Sequence, residues 1–190
     1  MQVAVLSDVH GNLPALEAIL AEIEGVDAIV CCGDVAGPLG DECLVQLDRM
    51  GASLVRGNAD EGVDWPLTLE LDVDGLGRVL FCHGSPRSEE EILTRVSPEA
   101  RVAAALEGVT ADVVVSGHTH VQYDRRVAGR RLVNPGSVGM PYEGVRGAFW
   151  AVLGPDVSFR RTEYLGQDDW LPDPADPDEA SAFFEGQAGS

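Results

Sequence analysis

Eight residues decide how this chain is interpreted: Val113-Val114-Val115-Ser116-Gly117-His118-Thr119-His120. Three β-branched residues in succession are typical of a strand that is buried on both faces of a sheet. Gly117 ends this strand, and we expect it to supply the positive φ that a sharp turn needs. His118 and His120 follow, one residue apart. Because neutral imidazole is the commonest metal ligand in proteins, this stretch indicates a metal site, and the alternative is a strand with a polar turn.

The distribution of histidine favours the metal site. The chain has only four histidines, and each follows a short apolar run. His10 comes after the first apolar run, in Ser7-Asp8-Val9-His10-Gly11-Asn12, and His83 comes after the run that ends at Cys82. Asp8 and His10 are one residue apart, so both side chains can face one ion. Such clustering at strand ends is typical of ligand sites.

The order of apolar runs predicts an α/β fold. Strands are expected over residues 2–7, 28–32 and 52–55, with a helix capped by Asn12 after the first and a helix over 41–50 after the second. Three strand–helix units predict a parallel sheet with helices on its faces. Ligands of such sheets collect beyond the carboxyl ends of the strands, where Asp8, His10, Asp34 and Asn58 lie.

The remainder of the chain predicts hairpins, one more helical region and a tail. Strands are expected over 67–73, 78–82, 122–127, 130–133, 147–153 and 157–164, and helices within 88–106. The loop Asn134-Pro135-Gly136-Ser137-Val138-Gly139 either turns the chain or lines the site with backbone amides. We divide the chain into a domain of residues 1–165 and an acidic, proline-rich tail of residues 166–190. We expect most of this tail to be disordered, with Trp170, Phe183 and Phe184 available to dock it.

Composition excludes several classes of protein. The formal net charge of −19 opposes non-specific binding to nucleic acid and to anionic membranes. The N-terminus resembles a first strand rather than a signal peptide, and no apolar run is long enough to span a membrane. The four cysteines form no metal-binding pair, and we expect buried free thiols in a reducing, cytoplasmic setting.

The candidate ligands are oxygen and nitrogen donors without sulfur. They are Asp8, His10, Asp34, Asn58, His83, His118 and His120. Their number suits two ions rather than one tetrahedral ion, and mixed donors favour Mn, Fe, Zn, Co or Ni. Two metals roughly 3.5–4 Å apart can activate a bridging water for in-line displacement at phosphorus. The residues therefore predict hydrolysis of a phosphate ester by a metal-bridging hydroxide.

The motifs, taken together, resemble the calcineurin-like metallophosphoesterase signature. The blocks are Asp8-Val9-His10, Gly33-Asp34, Gly57-Asn58-Ala59-Asp60, His83-Gly84 and Gly117-His118-Thr119-His120, in this order. The resemblance covers roughly residues 1 to 165. It implies a four-layer α/β/β/α sandwich with two mixed sheets. The small size, the block His83-Gly84-Ser85-Pro86 and the loop at Asn134 are similar to the small bacterial and archaeal phosphodiesterases, which are typically active with Mn or Ni and often oligomeric.

The resemblance also implies roles for individual residues. Asp8, His10 and His120 would hold the first metal, Asn58, His83 and His118 the second, and Asp34 would bridge them. Asp34, Asn58 and His118 are accordingly the residues closest to catalysis. Asn12 and Arg87 are candidates for contact with substrate, although Arg87 is equally well explained as a solvated surface arginine.

One position departs from the family pattern. Many members carry a histidine directly after the motif asparagine, where it helps to protonate the leaving group, whereas this chain has Ala59. General acid catalysis typically contributes about 10²–10⁴-fold, so poor leaving groups should react slowly. This departure disfavours the protein-phosphatase branch and fits a phosphodiesterase, since small relatives often lack that histidine.

Alternatives remain open at this stage. The chain is interpreted as a hydrolase of small phosphodiesters, but a phosphomonoesterase of the same fold is the nearest alternative. A retromer subunit of this fold is understood to act as a protein-interaction scaffold, so a non-catalytic metal-binding scaffold is another. The tail also offers a docking segment for a protein partner, and a homo-oligomer is compatible with the resemblance.

Overall fold

The expected alternation of strands and helices is present in the computed structural model, which describes residues 1–166 and 175–188. The strands are β1 (Val3–Leu6), β2 (Ala28–Cys31), β3 (Ser53–Leu54), β4 (Thr68–Val73), β5 (Gly77–Cys82), β6 (Val113–Ser116), β7 (Tyr123–Val127), β8 (Arg130–Asn134), β9 (Ala148–Leu153) and β10 (Val157–Thr162). The helices of the described residues are α1 (Leu13–Glu22), α2 (Gly40–Arg49), α3 (Glu99–Ala105) and α4 (Pro177–Ala188).

The strands form two mixed sheets of five. The first sheet has the order β10-β9-β1-β2-β3, and the second has the order β4-β5-β6-β8-β7. The central pairs β1–β2 and β2–β3 are parallel, as are β5–β6 and β6–β8. Antiparallel strands from the hairpins complete each sheet. The parallel strands therefore direct their carboxyl ends, and the loops that follow, to one edge of each sheet.

Alternating side chains of β1 show how the layers pack. Val3 and Val5 point into the core between the two sheets, where they join residues such as Phe81 and Val115. Ala4 and Leu6 point the other way, into the core beneath α1 and α2. A third core joins the outer face of the second sheet to α3. The predicted four-layer α/β/β/α sandwich with two mixed sheets is thereby confirmed.

Local details agree with the sequence to different degrees. Asn12 caps α1 as expected, because its side chain accepts a hydrogen bond from the backbone N–H of Ala15 at 3.2 Å, and Pro14 lies in the first turn. Residues 88–106 contain only α3, at their end. All four cysteines are buried and free, as predicted.

The tail differs from the expectation of disorder. Residues 177–188 form α4, which packs on the body of the protein, so the expectation is wrong for this part of the tail. Trp170 lies outside the described residues. The division at residue 165 stays a prediction. None of the helices in residues 1–166 and 175–188 has the length and apolar character that crossing a membrane would require.

Candidate metal centre

The candidate ligands all lie on loops that leave the carboxyl ends of parallel strands. We call these segments the ligand loops: residues 7–12, 33–36, 56–60, 83–85 and 117–120. Backbone hydrogen bonds join them to one another, from Asp8 N to Gly33 O at 3.0 Å, from His10 N to Asp34 O at 2.9 Å, and from Gly117 N to His83 O at 2.8 Å. The hydrogen bond from His118 N to Asp8 Oδ2, at 3.1 Å, connects the loops of the two sheets, which therefore present one continuous set of donors at their shared edge.

The backbone of the ligand loops is strained at the candidate ligands themselves. Five of them have φ between 48° and 68°: Asp8, His10, Asp34, His118 and His120. Among the described residues, the only other non-glycine residue in this region is Ala128, in the turn between β7 and β8. Left-handed backbone is unfavourable for side chains with a Cβ, and it persists where surrounding contacts impose it. Its concentration at these residues points to a functional requirement.

Gly117 is required for a reason other than the expected positive φ. Its φ is not positive, and His118 takes the left-handed conformation instead, with φ 68°. A Cβ at Gly117 would overlap Ser7 Oγ and lie 2.7 Å from Asp8 Oδ2. Glycine is therefore needed because two ligand loops approach each other closely, and the predicted reason was wrong. Gly57 is similar, since a Cβ there would overlap the carboxylate of Asp34.

The first group of converging donors comprises Asp8, His10 and His120. The Nε2 atoms of His10 and His120 are 3.1 Å apart, and His120 Nε2 lies 3.1 Å from Asp8 Oδ1. His120 Nδ1 donates to Met140 O at 2.6 Å, so Nε2 of the neutral ring carries a lone pair. Asp8 Oδ1 is buried and accepts no hydrogen bond. Lone pairs that face one another in a buried site fit a bound cation.

The second group comprises Asp8, Asp34 and His83. His83 Nδ1 donates to Cys32 O at 2.7 Å, which turns Nε2 towards Asn58 Oδ1 at 3.0 Å and Asp34 Oδ2 at 3.5 Å. Asp34 Oδ2 is also 3.9 Å from His10 Nε2, so this carboxylate lies between the two groups. The ring centroid of His118 is 5.0 Å from that of His83.

The pKa values of the candidate ligands are consistent with a site that binds cations. Burial lowers the pKa of His118 to about 4, and burial also lowers the pKa of His10. Burial opposes the charge on His83, but the carboxylates of Asp34 and Asp8 outweigh it and raise its pKa to about 9. Burial would likewise raise the pKa of Asp8, yet the neighbouring histidines hold it well below its usual range. Negative potential thus collects where metal ligands must be deprotonated.

Asp60 is a residue whose importance the sequence did not reveal. Its buried carboxylate accepts hydrogen bonds from the backbone N–H groups of Asp34 at 2.7 Å, Val35 at 2.9 Å, Ala36 at 3.0 Å and Gly57 at 3.0 Å. It therefore fixes two ligand loops together. The only available signal was its place at the end of the block Gly57-Asn58-Ala59-Asp60.

The loop after β8 supports the ligand loops from outside. The backbone N–H groups of Val138 and Gly139 donate to the carbonyl oxygens of Ser7 and Asp8, each at 2.9 Å. Ser137 Oγ also donates to Asp8 O at 2.8 Å. Of the two alternatives for this loop, these amides therefore brace the first ligand loop rather than line the site.

The two candidate substrate contacts are engaged with the protein. The side-chain amide of Asn12 donates to Tyr164 Oη at 2.8 Å and to Gly139 O at 3.3 Å, and its oxygen caps α1. Arg87 Nε donates to Glu91 at 2.9 Å, and its Nη1 donates to Ala104 O at 2.8 Å. These contacts explain both residues structurally, and contact with substrate stays a prediction.

Two aromatic side chains border the centre. Tyr142 stacks on His120 with ring centroids 5.1 Å apart and an angle of 14° between the planes. Phe184 of α4 lies 6.3 Å from the ring of His118. Phe184 was expected to dock the tail, and it does so. Tyr142 carries no motif that would have identified it in the sequence.

The sandwich of two sheets, with acidic and imidazole donors at its shared edge, is the architecture expected of a metal-dependent phosphoesterase. A model of the calcineurin-like phosphoesterase superfamily domain matches residues 1–153, so the chain belongs to this family and the resemblance is confirmed. The family membership supports a hydrolase of phosphoesters that requires metal.

Known proteins agree with this assignment. The probable metallophosphoesterase YsnB of Bacillus subtilis (strain 168) is 30% identical over 142 residues, which cover 74% of this chain and 77% of the relative. The crystal structure of a metallophosphoesterase from Sphaerobacter thermophilus aligns with a TM-score of 0.71 and 25% identity, covering 100% of this chain and 99% of that one. A mutant of Vps29 from Entamoeba histolytica shares the fold, with a TM-score of 0.58 and 19% identity over 86% of this chain and 99% of its own.

Proposed function

We propose that this protein hydrolyses phosphodiesters with the help of two divalent metal ions, manganese being our first choice. Asp8, His10 and His120 would hold one ion, while Asn58, His83 and His118 would hold the other. The position of Asp34 Oδ2, 3.9 Å from His10 Nε2 and 3.5 Å from His83 Nε2, supports a bridging role for this carboxylate. When bound, two such ions supply Lewis-acid activation of water and neutralise charge on the phosphoryl oxygens.

The chain's own residues set the protonation of the site. The carbonyl oxygens of Cys32 and Met140 hold the Nδ1 protons of His83 and His120 and so leave both Nε2 atoms for metal. The depressed pKa of His118, about 4, keeps its ring neutral at physiological pH, so it is suited to bind metal rather than to donate a proton. Burial of Asp8 and Asp34 excludes water from the carboxylates and strengthens their attraction for cations.

The observation that favours a diester over a monoester is the methyl group at Ala59. The backbone N–H of Ala59 donates to Asp34 Oδ1 at 2.8 Å, so this residue lies directly beside the proposed bridging ligand. Its side chain cannot donate a proton. Phosphoryl transfer from a monoester passes through a loose transition state that places much negative charge on the leaving group. Hydrolysis of a diester depends less on protonation of the leaving group. It is therefore slowed less by having alanine, which cannot donate a proton, at position 59.

The deciding experiment compares bis(p-nitrophenyl) phosphate with p-nitrophenyl phosphate, which share one leaving group. The protein is stripped by chelator, reloaded with Mn, Ni, Zn or Mg, and analysed for bound metal. We expect metal-dependent hydrolysis that favours the diester, with two ions per chain. Asp34→Asn should lose both metal and activity, whereas the exposed control Asp72→Asn should keep both. Full turnover by Asp34→Asn would remove the bridging role.

The two alternatives predict different results. A phosphomonoesterase would prefer the monoester, and a scaffold would bind metal without hydrolysing either compound. Restoring an acid with Ala59→His should accelerate esters of poor leaving groups by up to about 10²–10⁴-fold and esters of good leaving groups much less. Equal acceleration of both kinds of ester would show that protonation of the leaving group does not limit the reaction.

A further inference from the structure

Helix α4 is attached to the body of the protein beside the metal centre. Its Glu185 accepts hydrogen bonds from Ser97 Oγ at 2.5 Å and Thr94 Oγ1 at 2.6 Å, and it forms an ion pair with Arg101. Asp178 forms an ion pair with Arg95. The residues before the helix are also fixed, because the N–H of Gly144 donates to Ala175 O at 2.8 Å. These contacts give α4 a defined position.

This position places aromatic rings against the ligands of both proposed metals. Phe184 contacts His118 on one side and Tyr142, at 6.2 Å between ring centroids, on the other. Tyr142 in turn stacks on His120. The ring of Phe183 meets that of Phe184 edge to face at 5.8 Å, although Phe183 is 64% exposed. The rings of Tyr142, Phe184 and Phe183 therefore form a continuous row that begins at His120.

The rings border an open, solvent-accessible pocket of about 250 Å³, which we call the aromatic cavity. It is lined by Tyr142, Ala175, Glu179, Ala180, Phe183 and Phe184. Its volume lies below the roughly 300–1,000 Å³ of sites for drug-sized ligands, so it suits a single planar group. Among the lining residues that the structure describes, only Glu179 is charged, and its negative charge disfavours a second phosphate or a carboxylate in the cavity.

We propose that the aromatic cavity binds a planar aromatic substituent of the phosphoester, so that the preferred substrates are aryl or nucleoside phosphodiesters. This inference rests on the proposed function, because the phosphate of the same molecule would lie at the metal centre. Tyr142 and Phe184 each contact a candidate metal ligand and also line the cavity, so the cavity lies next to the proposed metal centre. Their flat faces select aromatic groups over aliphatic groups of similar size.

The test measures binding rather than turnover, so it does not depend on which ester is hydrolysed. Non-hydrolysable phosphonates are titrated into the full-length, manganese-loaded protein by calorimetry. The compounds are methylphosphonate, cyclohexylphosphonate, phenylphosphonate and the 5′-phosphonate analogue of thymidine. Stacking on one aromatic ring should make phenylphosphonate bind about tenfold more tightly than methylphosphonate, with cyclohexylphosphonate in between. Tighter binding of the thymidine analogue than of phenylphosphonate would identify a nucleobase as the natural substituent.

Variants of Phe184 separate stacking from the packing of the helix. Phe184→Leu retains apolar packing but removes the flat face, so the preference for phenylphosphonate over cyclohexylphosphonate should disappear. Phe184→Trp should retain this preference. The control Gly186→Ala lies on the same helix, where no atom of another segment in the described part of the chain lies within 4 Å of an added Cβ. It should leave every dissociation constant unchanged.

Three results would overturn the inference. Equal affinity of the wild-type protein for all four phosphonates would show that nothing beyond the phosphonate group is recognised. Tighter binding of every compound by Phe184→Leu would show that α4 obstructs the centre. Retention of the phenyl preference by this variant would place recognition elsewhere. Failure of the proposed function has a different signature, namely no metal-dependent hydrolysis of either nitrophenyl ester.

Discussion

The ligand loops and helix α4 meet where Phe184 contacts the rings of His118 and Tyr142. The two regions are held in place by different kinds of contact. The ligand loops are joined by backbone hydrogen bonds and by the buried carboxylate of Asp60. Helix α4 is held mainly by side chains, including the ion pair of Asp178, which is 84% exposed at its side chain. Exposed ion pairs typically contribute only about 0–1 kcal/mol. We infer that the loops fix the chemistry rigidly, whereas the helix can change without disturbing them.

The largest expected effect is that of Gly117→Ala, which tests the rigidity of the loops. The added Cβ would overlap Ser7 Oγ and press on the carboxylate of Asp8. We expect it to lower the free energy of unfolding by about 3 kcal/mol, at the upper end of overpacking effects, and to weaken metal binding. Urea denaturation of the metal-free protein, with metal analysis after reloading, measures both. A loss below about 0.5 kcal/mol, typical of surface substitutions, would show that the loops are pliable.

Asp60→Asn probes the same region through its hydrogen bonds. The carboxylate accepts from four backbone N–H groups, and the amide that replaces it would direct N–H groups at some of these donors. Hydrogen bonds to charged groups contribute about 1.5–3 kcal/mol, so we expect a loss of about 2–3 kcal/mol in chemical denaturation. The exposed substitution Asp72→Asn is the matched control. If both variants were equally stable, Asp60 would not be what joins the loops.

The positions of Gly117 and Asp60 also mark the boundary between what the sequence predicts and what it does not. Periodic apolar runs identified the strands, and the polar residues at their ends include the five donors that converge in two groups. Asn58 and His118 lie next to His83, and the roles of all seven as metal ligands stay predictions. Neither the left-handed φ of His118 nor the partners of Asp60 could be predicted. Both depend on contacts between loops that are distant in sequence, such as the hydrogen bond from His118 N to Asp8 Oδ2 at 3.1 Å. Local propensity contains no information about such contacts.

Helix α4 was missed for a related reason. Acidic residues and prolines without a basic residue are typical of a solvated tail, and composition alone gives that result. The compensating charges lie on other segments, since Glu185 pairs with Arg101 and Asp178 with Arg95. In the described part of the tail, two acidic residues that have no partner nearby in sequence are therefore paired in space.

Glu143 lies beside Tyr142, where the loops and the helix meet, and it gives a pH-dependent test. Burial raises its pKa to about 7. Because the folded protein binds this proton more tightly than the unfolded chain does, the associated stability is present below about pH 4.5 and is lost as the pH rises through 7. Glu143→Gln should therefore be more stable than wild type by about 1–2 kcal/mol at pH 8, allowing for partial exposure, and equally stable near pH 4.

Thermal denaturation of both proteins across this range measures the difference. The glutamine retains an oxygen that can accept the hydrogen bond from Gln122 N, so the comparison isolates the charge. If the difference in stability between the two proteins did not vary with pH, Glu143 would not be the group with the raised pKa.

The smallest effect is expected from Gly186→Ala, and it addresses the independence of α4 most directly. Alanine within a helix is favoured over glycine by about 0.5–1 kcal/mol, and no other segment among residues 1–166 and 175–188 obstructs the added Cβ. If α4 opens without unfolding the body, hydrogen exchange of its amides should slow about two- to fivefold, while exchange in β1 and β6 stays unchanged. If exchange slows equally in the strands, the helix unfolds together with the sheets. The aromatic cavity would then be as permanent a part of the protein as the metal centre.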